Sequence, residues 1–188
     1  YQPKHDEYTI QTISIKDQSP FNTCGMNSAI IQKEVLEGKE LSVRFQVAAM
    51  RKAGYVSGNG FSNLRNNQEI MRSIGACEET LLPKGGDNFY KYSDPALTDD
   101  YNRAQNAQTH RSKRYFIVKS EDEWLQAIDS GVPVQTGMNW YSSYNMNGGL
   151  KAPWILTIGR GAMVGGHAVT CIGYRISKGL LAFQNSFG

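Results

Sequence analysis

The stretch "QSPFNTCGMNSAIIQKEVLEG" (residues 18–38) passes from a proline turn through a cysteine into a helical pattern. From Cys24 onward, Met26, Ala29, Ile30, Lys33 and Leu36 recur at the three-to-four spacing of one helix face, and Gly38 ends the run. A lone cysteine is ordinarily a small buried hydrophobe. At the first residue of a helix, however, unpaired backbone N–H groups and the macrodipole favour an anion, which turns a thiol into a nucleophile near neutral pH. Gly25 removes side-chain bulk beside the sulfur. Whether Cys24 is structural or reactive therefore depends on partners elsewhere in the chain.

Outward from this segment, the first half reads helical. A second helix is expected from the cap Ser42 through "VRFQVAAMRKA" to Gly54. A third is expected from near Ser62, carrying Leu64, Ile70, Met71 and Ile74 before Gly75. The polar run 94–112 is read as a further helix and a loop. The second half changes period. "YFIV" (115–118) reads as a short strand, and "SEDEWLQAIDSG" (120–131) as a helix with a capping box between Ser120 and Glu123. "VPVQTGM", "WILTI", "HAVTCIGYRI" and "LLAFQNS" read as strands, with a tight hairpin at Ser177-Lys178-Gly179 between the last two. Helices followed by antiparallel strands predict an α+β protein of two lobes with a cleft between them.

Bulk properties narrow the function. A formal net charge of +3 is weak, and the one dense basic group, residues 110–114, reads as a solvated turn, so no nucleic-acid partner is expected. No apolar run approaches the roughly 20 residues needed to span a bilayer, so no membrane partner is expected. No charged-then-apolar leader opens the sequence, and its abrupt ends suggest a mature or excised segment. Three cysteines are too few and too uneven for a disulfide scaffold. They read as free thiols, which favours a reducing setting, cytoplasmic or virion-internal. Cys171 is expected in the core and Cys77 as a semi-buried thiol. No His/Cys pair has ligand spacing, so no metal or other cofactor is expected.

A nucleophilic cysteine needs a base and an orienter. Among the three histidines, His5 lies in a terminus expected to fray and His110 in a charged stretch. His167 stands among apolar residues in "MVGGHAVTCIGY", where two preceding glycines permit close approach of a backbone or substrate. Asn185 lies across the hairpin on the last strand. An asparagine in an apolar strand must hydrogen-bond or lose roughly 1–3 kcal/mol, and bonding the imidazole would satisfy it.

Together these residues resemble the papain-like cysteine peptidases. Gln18 stands six positions before Cys24, "GGHAV" covers 165–169, and "NSFG" covers 185–188. "SGNGF" (57–61) is similar to the family's glycine-rich wall beside the substrate groove, and the resemblance touches nearly the whole chain. It implies a single papain-like domain over 1–188, with a helical lobe at about 20–110, a β lobe at about 111–188 and a truncated C-terminus. It implies a cysteine-type endopeptidase with a Cys24–His167–Asn185 triad and Gln18 as oxyanion donor. Gly58, Gly60 and Gly166 would contact a polypeptide substrate. The alternative is a catalytically weak or inactive module with a binding or structural role in a larger polypeptide or assembly. Three positions depart from the family pattern: Gly25 stands where a Trp is usual, Phe187 replaces another Trp, and Phe21 replaces a bridging Cys.

Overall fold

Helix α1 (Cys24–Glu37) runs as the sequence pattern predicts and stops where Gly38 turns left-handed, its N–H bonding Glu34 O at 2.7 Å. The structure, a computed structural model, describes residues 1–86, 88–144, 155–156 and 159–187. Ser42 caps α2 (Val43–Lys52) by accepting from the Phe45 N–H at 3.1 Å, and its own hydroxyl donates to Leu82 O. Helix α3 (Leu64–Ser73) starts later than predicted, because Asn63 rather than Ser62 caps it. Ser62 instead ends the short hairpin β2 (Val56–Ser57) and β3 (Phe61–Ser62). Two further helices, α4 (Phe89–Tyr92) and α5 (Tyr101–Thr109), follow in the polar region.

These helices enclose one core. Met26, Ala29 and Ile30 from α1 pack with Phe21, Phe45, Met50, Ile70, Met71 and Phe89. Leu36, placed on the same face by spacing, is instead exposed, because the last turn of α1 runs past the core. The reading of residues 110–114 as a solvated turn holds for the exposed Arg111, Lys113 and Arg114 but fails at His110. His110 is 5% exposed, its Nδ1 bonds Glu37, and its Nε2 lies 3.5 Å from Glu78. Cys77, expected to be half-buried, is fully enclosed.

The second half forms a separate core. Helix α6 (Glu121–Asp129) is capped by Ser120, which accepts from the Glu123 N–H at 3.2 Å. The reciprocal arm lands one residue early: Glu123 accepts from the Lys119 N–H at 2.6 Å. Strand β4 (Val134–Tyr141) pairs antiparallel with β5 (Met163–Arg175), Met138 opposite His167. Strand β6 (Leu180–Gln184) pairs with Thr170–Arg175 of β5, and Gly179 closes the turn in the left-handed region. The amino-terminal strand β1 (Glu7–Thr9) also pairs with Gly173–Arg175. Because β1 and β6 share those partners, they lie on opposite edges of β5. Cys171 is buried in the core beneath, with Ile10, Leu125, Ile128, Val134 and Tyr174.

Two expectations fail here for related reasons. "YFIV" forms no strand: among the described residues nothing pairs with it, and Phe116 and Ile117 are exposed. A strand persists only where a neighbour supplies its ladder of hydrogen bonds. The terminus around His5 is not frayed. The Tyr1 hydroxyl and the Lys4 N–H both bond Asp129, and His5 stacks on Tyr8 with centroids 5.6 Å apart. The strand predicted over 154–158 lies largely outside the described residues.

Helix α1 joins the two cores. One side packs into the helical core, while Val35 packs against the core under the sheet. The amino end of α1 thus meets the middle of β4 and β5, and the cleft opens there.

Candidate active site

Cys24 reaches the cleft on a short braced loop. The Phe21 N–H bonds Gln18 O, and the Asn22 N–H bonds Asn59 O, both at 2.8 Å. Thr23, at the cap position, makes no side-chain cap, so its hydroxyl leaves the first-turn N–H groups uncommitted. Cys24 is thus the first residue of α1, at the positive end of the helix dipole. A cavity of about 530 Å³ lies over this helix start, and Cys24 and His167 both line it, with Asn22, Gly25 and Ser62 on the helical side and Gly137 and Gly166 on the sheet side. Among the described residues no hydrogen bond joins the Cys24 thiol to the His167 ring.

His167 is held by its neighbours. Its Nε2 donates to Asn185 Oδ1 at 2.7 Å. That same oxygen accepts from the Ser186 N–H at 2.8 Å, so it is the acceptor and the His167 proton sits on Nε2. Among the described residues no hydrogen bond is made to the other nitrogen, Nδ1. Asn185 stands one residue beyond β6 rather than on it, at the point where the chain leaves the ladder. Phe187 stacks on the imidazole with centroids 4.8 Å apart, and Trp140 meets the ring edge-on at 4.9 Å. Burial among these rings pushes the His167 pKa down, while the Asn185 bond pushes it up; burial wins.

Gln18 is oriented from the far end of the chain. The Ser186 hydroxyl donates to Gln18 Oε1 at 2.6 Å, and the Gln18 N–H bonds Ser186 O at 2.8 Å. A pinned oxygen leaves the amide nitrogen facing the loop that leads to Cys24, where Nε2 lies 3.4 Å from Phe21 O. Gln18 itself is not among the residues lining the cavity.

The glycines separate into three situations. Gly166 lines the cavity. Gly58 and Gly60 shape the turn that delivers Phe61 and Ser62 to it, with φ of 52° and 116°. A Cβ on Gly60 would lie 2.9 Å from Thr23 Cγ2 and 3.0 Å from the Asn22 carbonyl carbon, so this turn packs on the loop before Cys24. Gly25 accounts for its own departure from the family pattern. A Cβ there would meet Asn67 Nδ2 at 2.6 Å and Ser62 Oγ at 2.7 Å, leaving no room for an indole.

Sequence reasoning missed Ser186 and Trp140. Ser186 was visible inside "NSFG", but only the fold brings it to Gln18. Trp140 carried no local signal beyond its place in an aromatic run. The other thiols stand apart from the cleft. Burial pushes Cys77 up to about 12 and Cys171 upward as well, so neither is a ready nucleophile. Among the described residues no three His, Cys, Asp or Glu side chains gather as metal ligands, and no helix is long and apolar enough to cross a membrane.

Several solved structures share this architecture. Xylellain, a cysteine protease from Xylella fastidiosa, matches with a TM-score of 0.80 and 20% identity, covering 100% of this chain and 79% of that one. The cysteine protease CMS1MS2 of Carica candamarcensis matches at 0.67 and 15% identity over 98% of this chain and 83% of its own. Digestive procathepsin L 3 of Tenebrio molitor matches at 0.71 and 16% identity over 100% and 61%. No family model and no curated protein sequence matches the chain. Its α+β fold is that of the papain-like cysteine proteases.

Proposed function

We propose that the protein is a cysteine peptidase that cleaves polypeptides in the cleft between its two cores. The observation that carries this reading is the bond from His167 Nε2 to Asn185 Oδ1, made by a ring that lines the same cavity as Cys24. Nδ1 of His167 accepts the thiol proton, and the helix start and the imidazolium stabilise the thiolate. The thiolate then attacks the substrate carbonyl. The Cys24 N–H and Gln18 Nε2 hold the developing oxyanion, a donor of this kind being worth roughly 3–4 kcal/mol. His167 returns the proton to the departing amine, and the peptide remains as a thioester. Water enters, His167 takes its proton, and the hydroxide displaces the sulfur to release the acid and restore the thiol. Gly166 keeps the sheet-side wall low enough for an extended backbone to lie against it, and Gly58 and Gly60 act on that backbone through the turn that carries Phe61 and Ser62 into the cleft. Catalytic hydrogen bonds often tighten only when substrate arrives, so the lack of one between Cys24 and His167 among the described residues does not oppose this reading.

Hydrolysis of an unfolded protein by the unaltered chain and by Cys24→Ala tests the proposal. Activity is expected to vanish in the variant, and a thiol-directed epoxide is expected to label Cys24 alone. Full activity in Cys24→Ala would refute it. Slow, unselective labelling of all thiols would favour an inactive module.

A further inference from the structure

Two residues opposite each other on the sheet grip the helix turn that bears Cys24. Gln135 on β4 pairs with Thr170 on β5. Gln135 Nε2 donates to Gly25 O and to Ser28 Oγ, both at 2.8 Å. Thr170 Oγ1 donates to Ser28 O at 2.9 Å, and Ser28 Oγ donates to Gly25 O at 2.9 Å. From the other side, Gln68 Nε2 on α3 donates to Gln135 Oε1 at 2.8 Å.

The chemistry of this network permits one arrangement. A carbonyl oxygen can only accept, so the amide of Gln135 must present its nitrogen to Gly25. Its oxygen then points to Gln68, which is where the donor lies. Thr170 and Ser28 are almost fully buried, and no buried polar atom of these residues lacks a partner. A satisfied buried network is directional, and it fixes register where an apolar contact would let two surfaces slide.

We infer that Gln135 and Thr170 are positioning residues that set the distance between the thiol and the imidazole. This rests on the cysteine-peptidase reading of the cleft. Cys24 starts α1 and His167 stands on β5, so contacts between this helix and the sheet set their separation. The Gln135–Thr170 grip lies beside the pair: Gln135 holds Gly25, next to Cys24, and Thr170, three residues from His167, holds Ser28 one turn along the same helix. A misplacement of about 1 Å at a reacting pair costs on the order of 100-fold in rate, so the grip acts on catalysis without touching substrate.

The test is the pH profile of Cys24 alkylation by iodoacetamide, together with steady-state hydrolysis of a peptide. Gln135→Met keeps length and removes both polar functions. Thr170→Val keeps shape and removes the hydroxyl, and Thr170→Ser restores it. A thiolate–imidazolium pair reacts well below the pKa of a free thiol, giving an acid limb near pH 6. In Gln135→Met and Thr170→Val that limb is expected to fall roughly 10-fold or more. Alkylation at alkaline pH and KM should hardly change, and Thr170→Ser should recover the limb. Near-UV circular dichroism reports folding. If Gln135→Met unfolds, the Thr170→Val and Thr170→Ser pair decides. An acid limb present in the unaltered protein and unchanged in the folded variants overturns the inference alone. Its absence from the unaltered protein overturns the peptidase reading, and the inference with it.

Discussion

Asn185 Oδ1 receives two hydrogen bonds, from His167 Nε2 at 2.7 Å and from the Ser186 N–H at 2.8 Å. This pairing assigns the neutral tautomer of the imidazole and leaves Nδ1 as its only basic site. It also makes the ring's titration depend on residues that can be changed one at a time.

With Cys24→Ala, no thiolate offsets the effect of burial, and the His167 ring is expected to titrate below the free-imidazole value of about 6.5. Asn185→Ala in that background should lower it further, since the lost bond raises the pKa. Below about pH 6.5 the unfolded chain binds a proton that the native ring resists, so stability falls as pH drops through that window. Imidazole resonances followed by NMR titration check the order, and a ring titrating above 6.5 would contradict it.

Ser186→Ala removes the hydroxyl that pins Gln18 Oε1. The amide can then rotate, so kcat is expected to fall about 10-fold with KM unchanged. Removing the donor itself should cost more, on the order of 100-fold. Steady-state kinetics on Ser186→Ala and Gln18→Ala separate the two, and an unchanged kcat in Ser186→Ala would deny Ser186 an orienting role.

Thiol chemistry should count one cysteine in the native protein. Cys24 is partly exposed, while Cys77 and Cys171 are buried and held up in pKa. A disulfide reagent should therefore react with one thiol quickly and with the other two only after denaturant is added. Fast reaction of two thiols in the native state would contradict the placement of Cys77 or Cys171.

Gly25→Ala inverts a common outcome. Replacing a helical glycine by alanine ordinarily stabilises by up to about 1 kcal/mol. Here the added carbon meets Asn67 and Ser62, and Asn67 is fully buried. Overpacking of this kind costs about 1–3 kcal/mol, so urea denaturation should show a loss. A gain would mean that Ser62 and Asn67 yield easily.

Glu34, on the inner side of α1, is buried against Lys16 at 2.7 Å and also accepts from the Leu41 N–H and the Ser14 hydroxyl. Burial pushes its carboxyl above the usual range despite the lysine. Removing one partner of such a pair strands the other charge, and Glu34→Ala is expected to cost about 3–5 kcal/mol. Lys52→Ala, which breaks the exposed pair with Asp99, should cost less than about 1 kcal/mol. Denaturant midpoints for the two variants check the contrast.

Local chemistry made much of this protein legible. Helix α1 could be read from Cys24 to Gly38 because its period and its left-handed stop are properties of adjacent residues. The same holds for the Ser42 and Ser120 caps and for the turn at Gly179. Cys24, His167, Asn185 and Gln18 could be singled out as candidates because their residue types, order and spacing resemble a known pattern. The segment 115–118 was misread because strand propensity does not say whether a partner exists. His110 was misread because a charged neighbourhood in sequence became a buried pair with Glu37 in space.

What the sequence determined by itself was helices α1, α2, α3 and α6, strands β4 to β6, and a set of candidate reactive residues. What only the tertiary structure decided was how those groups are held. Ser186 reaches Gln18, Trp140 reaches His167, Gln135 reaches Gly25, and Ser62 with Asn67 fill the space beside Gly25. Each of these contacts joins residues far apart in the chain, so no periodicity or local propensity encodes it. Directional hydrogen bonds and close packing form between such residues only once the helical core and the sheet have come together.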